Sequence, residues 1–368
     1  MELPIRPFYY RFSMILLMLL LVAITLYFGS DIIIPFAFAA ILAILLVPLN
    51  NFLERKRISR PTAISISLAI SFLFIFGIIY FLSIQILAFI DDIPVIKERI
   101  NELIYSLQRW LHQRFGLSMR EQTDYINTAK NSGSGILGST FLSITDILLG
   151  ITLLPIYSFL ILYYRDMLKK FIIAIFKDSN REKVEDVLRE SRGVVQNYMV
   201  GLLFEMGIVA VINFTGFAII GIEYAVFLAV FAAILNLIPY IGMLIASIFC
   251  CIVTLTTSDN TSDAIWTLLV LWVVQFLDNN IIMPRVVGSK VKINAMITIL
   301  GVLIGGALCG IPGMFLSIPG IAILKVIFER VDDLKPWGML LSDDITSNQP
   351  GKIYSRVTRL RKKPPLKS

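Results

Sequence analysis

A cluster of polar side chains stands inside an otherwise apolar stretch near the C-terminal third of this sequence. Gln275, Asp278, Asn279 and Asn280 lie within six residues of one another. Their carboxylate and amide oxygens could bind a polar solute or coordinate a cation, because hard cations take oxygen ligands. The alternative is that these residues mark the end of a helix at a membrane interface, with the asparagines as caps.

Three further polar residues stand alone in apolar stretches. Glu205 is a candidate proton carrier, because an ionisable group in such a segment is costly and therefore usually functional; the alternative is a side chain that extends to the interface. Asp146 suits a favourable interaction with a helix N-terminus. Asn213 suits a hydrogen bond between helices.

The residue types needed for several kinds of catalysis are missing. His112 is the only histidine, which excludes any site built from several histidines, and the three cysteines lie in apolar stretches. The motifs HExxH and GxxxxGK[ST] are absent, which excludes a zinc intramembrane protease and a P-loop ATPase. We therefore expect no enzymatic activity, no metal site and no cofactor, with a coupling proton or sodium ion as the only small species besides a solute.

The composition indicates a membrane protein. Of the 368 residues, 57% are hydrophobic and 16% are charged, with a mean hydropathy of +0.80. Soluble domains average about 25% charged residues. We predict an all-α polytopic membrane protein in contact with the lipid bilayer. In a membrane protein, the net charge of +7 primarily indicates which loops face the cytoplasm, where basic residues accumulate. We expect no nucleic acid partner.

The apolar stretches predict six full transmembrane spans and two longer runs. Each of the six suits one crossing of a hydrocarbon core about 30 Å thick. They are 12–28, 32–49, 62–90, 141–164, 200–221 and 264–282. The longer runs, 224–257 and 293–328, contain prolines and glycines near the middle, which allow a helix to break and reverse.

These broken runs predict two opposed helical hairpins. In secondary transporters, paired helix interruptions tend to mark the substrate site. The alternative is a pair of packing kinks. The candidate solute-binding or ion-binding residues at the turns are Asn236, Pro239, Tyr240, Gly242, Pro312 and Gly313.

Basic residues support the fold-back of both runs. Outside 91–140, every Lys and Arg falls in one of five patches: the N-terminus, 55–60, 165–192, 285–292, and 325 to the C-terminus. All five lie on one side only if both runs reverse. The positive-inside rule makes that side cytoplasmic, with both termini there. The first hairpin then enters from outside and the second from the cytoplasm.

This pattern divides the chain into six regions. The helical segment 165–199 would lie on the membrane surface, on a neighbouring subunit or on its own core. The basic tail is expected to contact anionic lipid headgroups. The regions are a three-span region (1–90), an extracytoplasmic helical loop (91–140), a fourth span (141–164), a cytoplasmic amphipathic helix (165–199), a transport core with both hairpins (200–330) and a basic cytoplasmic tail (331–368).

Three motifs together resemble the autoinducer-2 exporter family of polytopic bacterial membrane proteins. They are Asn236-Leu-Ile-Pro-Tyr-Ile-Gly242, then Gln275-Phe-Leu-Asp-Asn279 with Pro284-Arg-Val-Val-Gly288, and the glycine-rich run from Gly305 to Pro319. In this order and between these spans the three motifs together are specific for the family, whereas each motif alone is weak evidence. Met243 departs from the family pattern, in which many members have proline.

The resemblance implies a proton- or ion-linked secondary transporter of the bacterial inner membrane that exports a small polar molecule, with autoinducer-2 as the namesake. It also implies a homopentamer whose hairpin region moves like an elevator. Some members look like sodium/proton antiporters instead. Three functions therefore stay open: a solute exporter, a sodium (or lithium)/proton antiporter on the same scaffold, and a non-transporting membrane scaffold or sensor.

Overall fold

A computed structural model describes residues 8–91, 93–115, 144–238, 241–258, 260–286 and 293–343. Helices account for nearly all of them, and the only β pairing among them is an isolated bridge between Ile293 and Ser342. Five of the described helices are long and apolar enough to cross a membrane. The predicted all-α polytopic membrane fold is confirmed.

Thirteen α-helices lie within the described residues. Their bounds are α1 Phe8–Phe28, α2 Ser30–Arg55, α3 Arg60–Asp91, α4 Ile93–Phe115, α5 Ile144–Tyr163, α6 Arg165–Ile175, α7 Arg181–Ile220, α8 Ala225–Leu235, α9 Ile241–Thr257, α10 Thr261–Leu277, α11 Met283–Val286, α12 Ala295–Arg330 and α13 Lys335–Leu341. Helices α2, α3 and α5 pack together around buried aliphatic side chains such as Leu46, Ile64 and Leu162.

The chain over 165–220 is divided differently from the sequence-based expectation of one amphipathic helix followed by a separate span. The structure has a short α6, a 3₁₀ turn at Asp178–Asn180 and then a single 40-residue helix, α7. A helix of this length extends about 60 Å, because each residue adds about 1.5 Å. Its early half packs within the chain: Tyr198 and Leu202 lie in a buried cluster with Val302 and Ile318 of α12.

The first broken run folds back along α7. Gly221 ends α7 in the left-handed conformation, with φ 86°, and α8 then returns along it, so that Phe217 and Leu228 share one buried cluster. After the turn that begins at Asn236, α9 runs back beside α8, and the Cys250 thiol approaches the Leu228 carbonyl at 4.0 Å. The end of α9 therefore lies at the Gly221 end of α7.

The second broken run, α12, also reverses. Cys309 and Gly310 have non-helical backbone angles, and Gly310 has φ 63° and ψ −153°. The arms on either side then lie side by side: the Ser317 hydroxyl donates to the Gly301 carbonyl at 2.8 Å, a contact that a straight helix cannot make. The turn reaches α1, where the Cys309 thiol is 3.7 Å from the Leu26 carbonyl.

Ion pairs join several helix ends into one layer. Arg165 at the start of α6 contacts Glu54 of α2 at 2.9 Å, and Arg330 at the end of α12 contacts Glu190 of α7 at 2.5 Å. Arg60 of α3 also binds Asp166 at 2.6 Å, and its hydrogen bond lowers the pKa of that carboxyl. This link therefore persists above the lowered pKa and is lost as the pH falls through it.

The two hairpins approach α7 from opposite ends. The ion-pair layer holds the Arg181 end of α7 and the base of the second hairpin, through Glu190–Arg330. The first hairpin starts at the other end, after Gly221, and its turn residues Leu237 and Ile241 reach the cluster that the second hairpin forms with α7.

Close packing of glycines in the second hairpin predicts that one added methyl group lowers the stability of the protein. A Cβ atom on Gly305 would overlap the Gly313 carbonyl and the Ser317 hydroxyl across the arms. We expect Gly305→Ala to lower the free energy of unfolding by about 1–3 kcal/mol, the usual cost of overpacking. Thermal unfolding in detergent measures the change.

Gly320→Ala on the same helix is the matched control, because a Cβ atom there meets no atom within 4 Å. It should leave stability unchanged or raise it, since alanine favours the helix. Equal unfolding temperatures for the two variants would contradict the close packing of the arms.

Candidate functional site

Two acidic side chains from distant parts of the sequence meet in the interior. Glu205 of α7 is 5% exposed and Asp278, directly after α10, is 2% exposed. Their carboxyl groups lie within hydrogen-bonding range of each other. Glu205 therefore does not extend to the interface, and Asp278 is not simply an exposed helix end. We call Glu205 and Asp278 the acid pair.

The first hairpin is tied directly to this pair. The Asn236 side-chain amide, at the end of α8, donates to Asp278 Oδ2 at 2.8 Å. A hydrogen bond to a charged group contributes about 1.5–3 kcal/mol. The hairpin turn, α7 and the end of α10 therefore meet at one polar point.

The backbone at Asp278 has an unusual form. Residues Asp278–Ile282 form a π-helical turn between α10 and α11. Such turns insert one extra residue per turn and occur often at functional sites. Here the wider turn buries Asp278 and leaves the next two asparagines exposed. The sequence offered no signal for this change of helix type.

Gly242 closes the hairpin turn. Its backbone N–H donates to the Ile238 carbonyl at 3.0 Å. A Cβ atom on Gly242 would overlap the Leu235 carbonyl, so this position accepts no larger residue without movement of the turn. The close approach also places Gly242 beside the backbone nitrogen of Asn236.

Three of the predicted polar residues face away from the acid pair. Gln275 donates to the Asn279 side-chain oxygen at 3.2 Å, and Asn280 donates to the Phe276 carbonyl at 2.8 Å, both on the exposed side of the helix. Their proximity in sequence to Asp278 does not place them in its site. The structure therefore does not bring these three side chains together with Asp278 and Glu205.

The second hairpin turn is also separate. Gly313 packs on Gly305 within its own hairpin, and the turn at Cys309 lies against Leu26. These contacts lie within the second hairpin and with α1, and none of them joins Gly313 or Cys309 to the acid pair.

Three predicted positions cannot be placed in the site. Pro239 and Tyr240 lie outside the described residues, and so does the side chain of Asp146, whose backbone belongs to α5.

Two acceptor oxygens of the acid pair lack a partner among the described residues. Glu205 Oε2 and Asp278 Oδ1 are buried and receive no hydrogen bond from the described part of the chain, and the same holds for Asn213 Oδ1 two turns further along α7. Among the described residues, no Lys or Arg forms an ion pair with either carboxylate. Two ionised carboxylates in contact would repel strongly in an apolar interior. A proton or a cation would relieve that repulsion.

One further polar residue lies on the same face of α7 as Glu205. Tyr198 is 3% exposed and stands seven residues before Glu205, which is about 10 Å along the helix. Its spacing of seven residues from Glu205 places both on one helix face, and this periodicity was the available signal. A tyrosine also occurs in many apolar faces for packing alone, so the spacing carries little information without the structure.

Comparison with known proteins agrees with this architecture. A family model described as AI-2E family transporter matches residues 16–333. The chain belongs to the AI-2E family. It is a multi-pass membrane protein of a family of transporters.

Relatives in this family share modest identity over most of their length. YrrI of Bacillus subtilis strain 168 is 26% identical over 81% of this chain and 86% of its own length. YhhT of Escherichia coli K12 is 25% identical over 89% of this chain and 91% of its own length. The AI-2 transport protein TqsA of the same organism is 24% identical, over 89% and 94%.

The different surroundings of two nearby amides predict different responses to the same substitution. Asn236→Ala removes the donor to buried Asp278, so we expect a loss of about 1–3 kcal/mol in the free energy of unfolding. Asn279→Ala removes an exposed amide, and surface changes usually stay within about 0.5 kcal/mol. Chemical unfolding in detergent compares them, and an equal loss in both variants would show that the Asn236–Asp278 bond is not formed.

Proposed function

We propose that this AI-2E family member is a secondary transporter that exports a small polar solute across the bacterial inner membrane. The coupling species is a proton held by the acid pair. The solute class is taken from the family namesake and from the relative named AI-2 transport protein TqsA, whereas the proton role is inferred from the acid pair. We propose no enzymatic role and no bound cofactor.

The contact between Glu205 and Asp278 carries this proposal. Burial removes the water that would otherwise stabilise two negative charges, and no described basic side chain replaces it. A proton shared by the pair removes one charge and can be released when the site opens to water. A change of access during transport would then take up or release that proton.

The bond from Asn236 connects this proton to a moving part. Asp278 Oδ2 accepts from the Asn236 amide when ionised. A proton on the free oxygen Oδ1 would leave Oδ2 as a neutral acceptor, and a hydrogen bond to a neutral acceptor is weaker than one to a carboxylate. Protonation would therefore weaken the hold on the first hairpin. A bound species shifts a conformational equilibrium only by its differential affinity for the two states. The proton has such a difference here, because it replaces the charged acceptor of the Asn236 bond by a neutral one.

A sodium (or lithium)/proton antiporter is the second candidate. The buried oxygens without donors, Glu205 Oε2 and Asp278 Oδ1, are suitable ligands for a small cation. In that case the proton and the cation would compete for one site. A non-transporting scaffold or sensor is the third candidate function. It predicts no transport by the wild type and therefore no effect of the acid pair on transport.

Transport in reconstituted vesicles separates these functions. We expect Glu205→Gln and Asp278→Asn to abolish proton movement, because each leaves the site with at most one ionisable group. The measurement is a pH-sensitive dye inside vesicles, after addition of autoinducer-2 or of sodium or lithium chloride. Wild-type flux should depend on pH, and any solute flux left in the variants should not.

Glu223→Gln is the matched control, since Glu223 is an exposed acid in the turn after α7. It should behave as wild type. Proton movement driven only by sodium or lithium, and lost in both acid-pair variants, would favour the antiporter. Unchanged coupling in both variants, at matched expression, would rule out the acid pair as the coupling site.

We also propose that the ion-pair layer is cytoplasmic, together with both termini. The basic patches support this orientation through the positive-inside rule. Assembly into a homopentamer remains a proposal from the family resemblance, and native mass spectrometry in mild detergent tests it.

The orientation predicts opposite labelling of two turns. Lys56 lies in the turn between α2 and α3, beside the ion-pair layer, and Asn260 lies between α9 and α10, at the Gly221 end of α7. In a background without the native cysteines, a membrane-impermeant thiol reagent added to whole cells should label Asn260→Cys and not Lys56→Cys. Labelling of both from outside would contradict the arrangement.

A further inference from the structure

Helix α6, Arg165–Ile175, presents its apolar side outward. None of its residues is buried. Phe171 is 61% exposed and Ile175 is 63% exposed, and Met167 and Leu168 are also exposed. At 100° per residue these side chains fall on one face of the helix. We call Met167, Leu168, Phe171 and Ile175 the outer face of α6.

The opposite face of α6 is the one that contacts protein. Asp166 binds Arg60 of α3, and Lys169 binds Glu185 of α7 at 2.5 Å. A helix on the surface of a soluble protein has the reverse arrangement, with the apolar stripe toward the core. Among the described residues no element covers the outer face, so this face requires another apolar cover.

The position of α6 indicates what that cover is. Helix α5 ends at Tyr163, and the exposed rings of Tyr163 and Tyr164 contact each other at the junction, with centroids 4.9 Å apart. Tyrosines of this kind are enriched where a span meets the headgroup region. Arg165 then binds Glu54 in the ion-pair layer. Helix α6 thus begins at the membrane boundary.

Positive charge accompanies the outer face. Lys170 lies at its edge, and Lys177 follows the end of the helix, exposed. Basic residues beside an apolar helix face are attracted to anionic headgroups while the apolar side chains enter the acyl boundary. The early half of α7, by contrast, turns its apolar side to α12 and needs no such cover.

We propose that α6 is an interfacial helix that binds the anionic phospholipid surface at the ion-pair end of the protein. Phe171 and Ile175 insert among the acyl chains, and Lys170 and Lys177 contact lipid phosphates. This anchor fixes the junction between the α2–α3–α5 bundle and α7, the helix that carries Glu205. The proposal does not depend on what the protein transports.

Depth measurements on single cysteines test the insertion. In the full-length protein with Cys250, Cys251 and Cys309 replaced by alanine, an environment-sensitive fluorophore is attached at Phe171→Cys, Ile175→Cys or Lys170→Cys. The vesicles contain phosphatidylcholine with phosphatidylglycerol. We expect blue-shifted emission and quenching by spin-labelled lipid at 171 and 175, and quenching by aqueous iodide at 170.

Equal iodide quenching at all three positions would overturn the insertion. Protection at 171 and 175 from both iodide and spin-labelled lipid would also overturn it, because a second copy of the chain would then cover the outer face.

The charge requirement has its own test, with the fluorophore at Ile175→Cys. Adding phosphatidylglycerol to phosphatidylcholine vesicles should increase the blue shift, and Lys170→Gln with Lys177→Gln should remove that increase. Lys170→Arg with Lys177→Arg is the control that keeps the charge and should keep the increase. A blue shift that does not depend on phosphatidylglycerol would overturn the anionic component of the proposal.

Discussion

A backbone that reverses direction among lipid-facing helices must satisfy its own polar groups, because the hydrocarbon offers no hydrogen-bond partner. Both reversals here meet this constraint by close approach. In the first, the Gly242 N–H binds the Ile238 carbonyl. In the second, the Ser317 hydroxyl binds the carbonyls of Gly301 and Gly313. Glycine is required at the points of nearest approach, since a Cβ atom at Gly242 or Gly305 would overlap backbone atoms.

The same constraint links the first hairpin to the acid pair. Its turn begins at Asn236, and the partly buried side-chain amide there needs an acceptor. Asp278 supplies that acceptor and is itself buried against Glu205. The hydrogen bond at the start of the turn is therefore made to a group whose charge can change. In the proposed mechanism, the position of the first hairpin and the protonation of this group depend on each other.

Charged groups are used differently at the edge of the protein. The pairs Lys169–Glu185 and Lys183–Asp332 are at least half exposed, and exposed ion pairs contribute little to stability because water screens them. They fix which helix ends lie together more than they stabilise the fold. The acid pair is buried and no described Lys or Arg forms an ion pair with it, so a single proton matters there far more than at the surface.

Two amphipathic segments show how packing selects among alternatives that the sequence cannot separate, namely a helix on the membrane surface, on a neighbouring subunit or on the protein's own core. Residues 165–199 have apolar side chains at helical spacing throughout. The structure turns the face around Val195 and Tyr198 toward α12, and leaves Phe171 and Ile175 uncovered. Periodicity shows that a helix has an apolar side, but it cannot show which other element covers that side.

The sequence by itself determined the class of fold and much of its order. Composition and apolar length identify a polytopic helical protein, and proline and glycine at 239, 242, 310 and 312 identify two interrupted runs. These conclusions rest on local properties. The length of an apolar helix, the ability of proline and glycine to interrupt it, and the clustering of basic residues in one loop all depend on residues close together in the chain. The motifs at Asn236 and Asp278 were likewise visible as candidates.

Only the tertiary structure decided which candidates form a site. Gln275, Asn279 and Asn280 are near Asp278 in sequence but face outward, whereas Glu205 is far away in sequence and lies beside it. The π-helical turn at Asp278 and the fold-back of α8 along α7 set these directions. Sequence spacing fixes distance along a chain, but the meeting of two carboxyl groups depends on how distant helices pack.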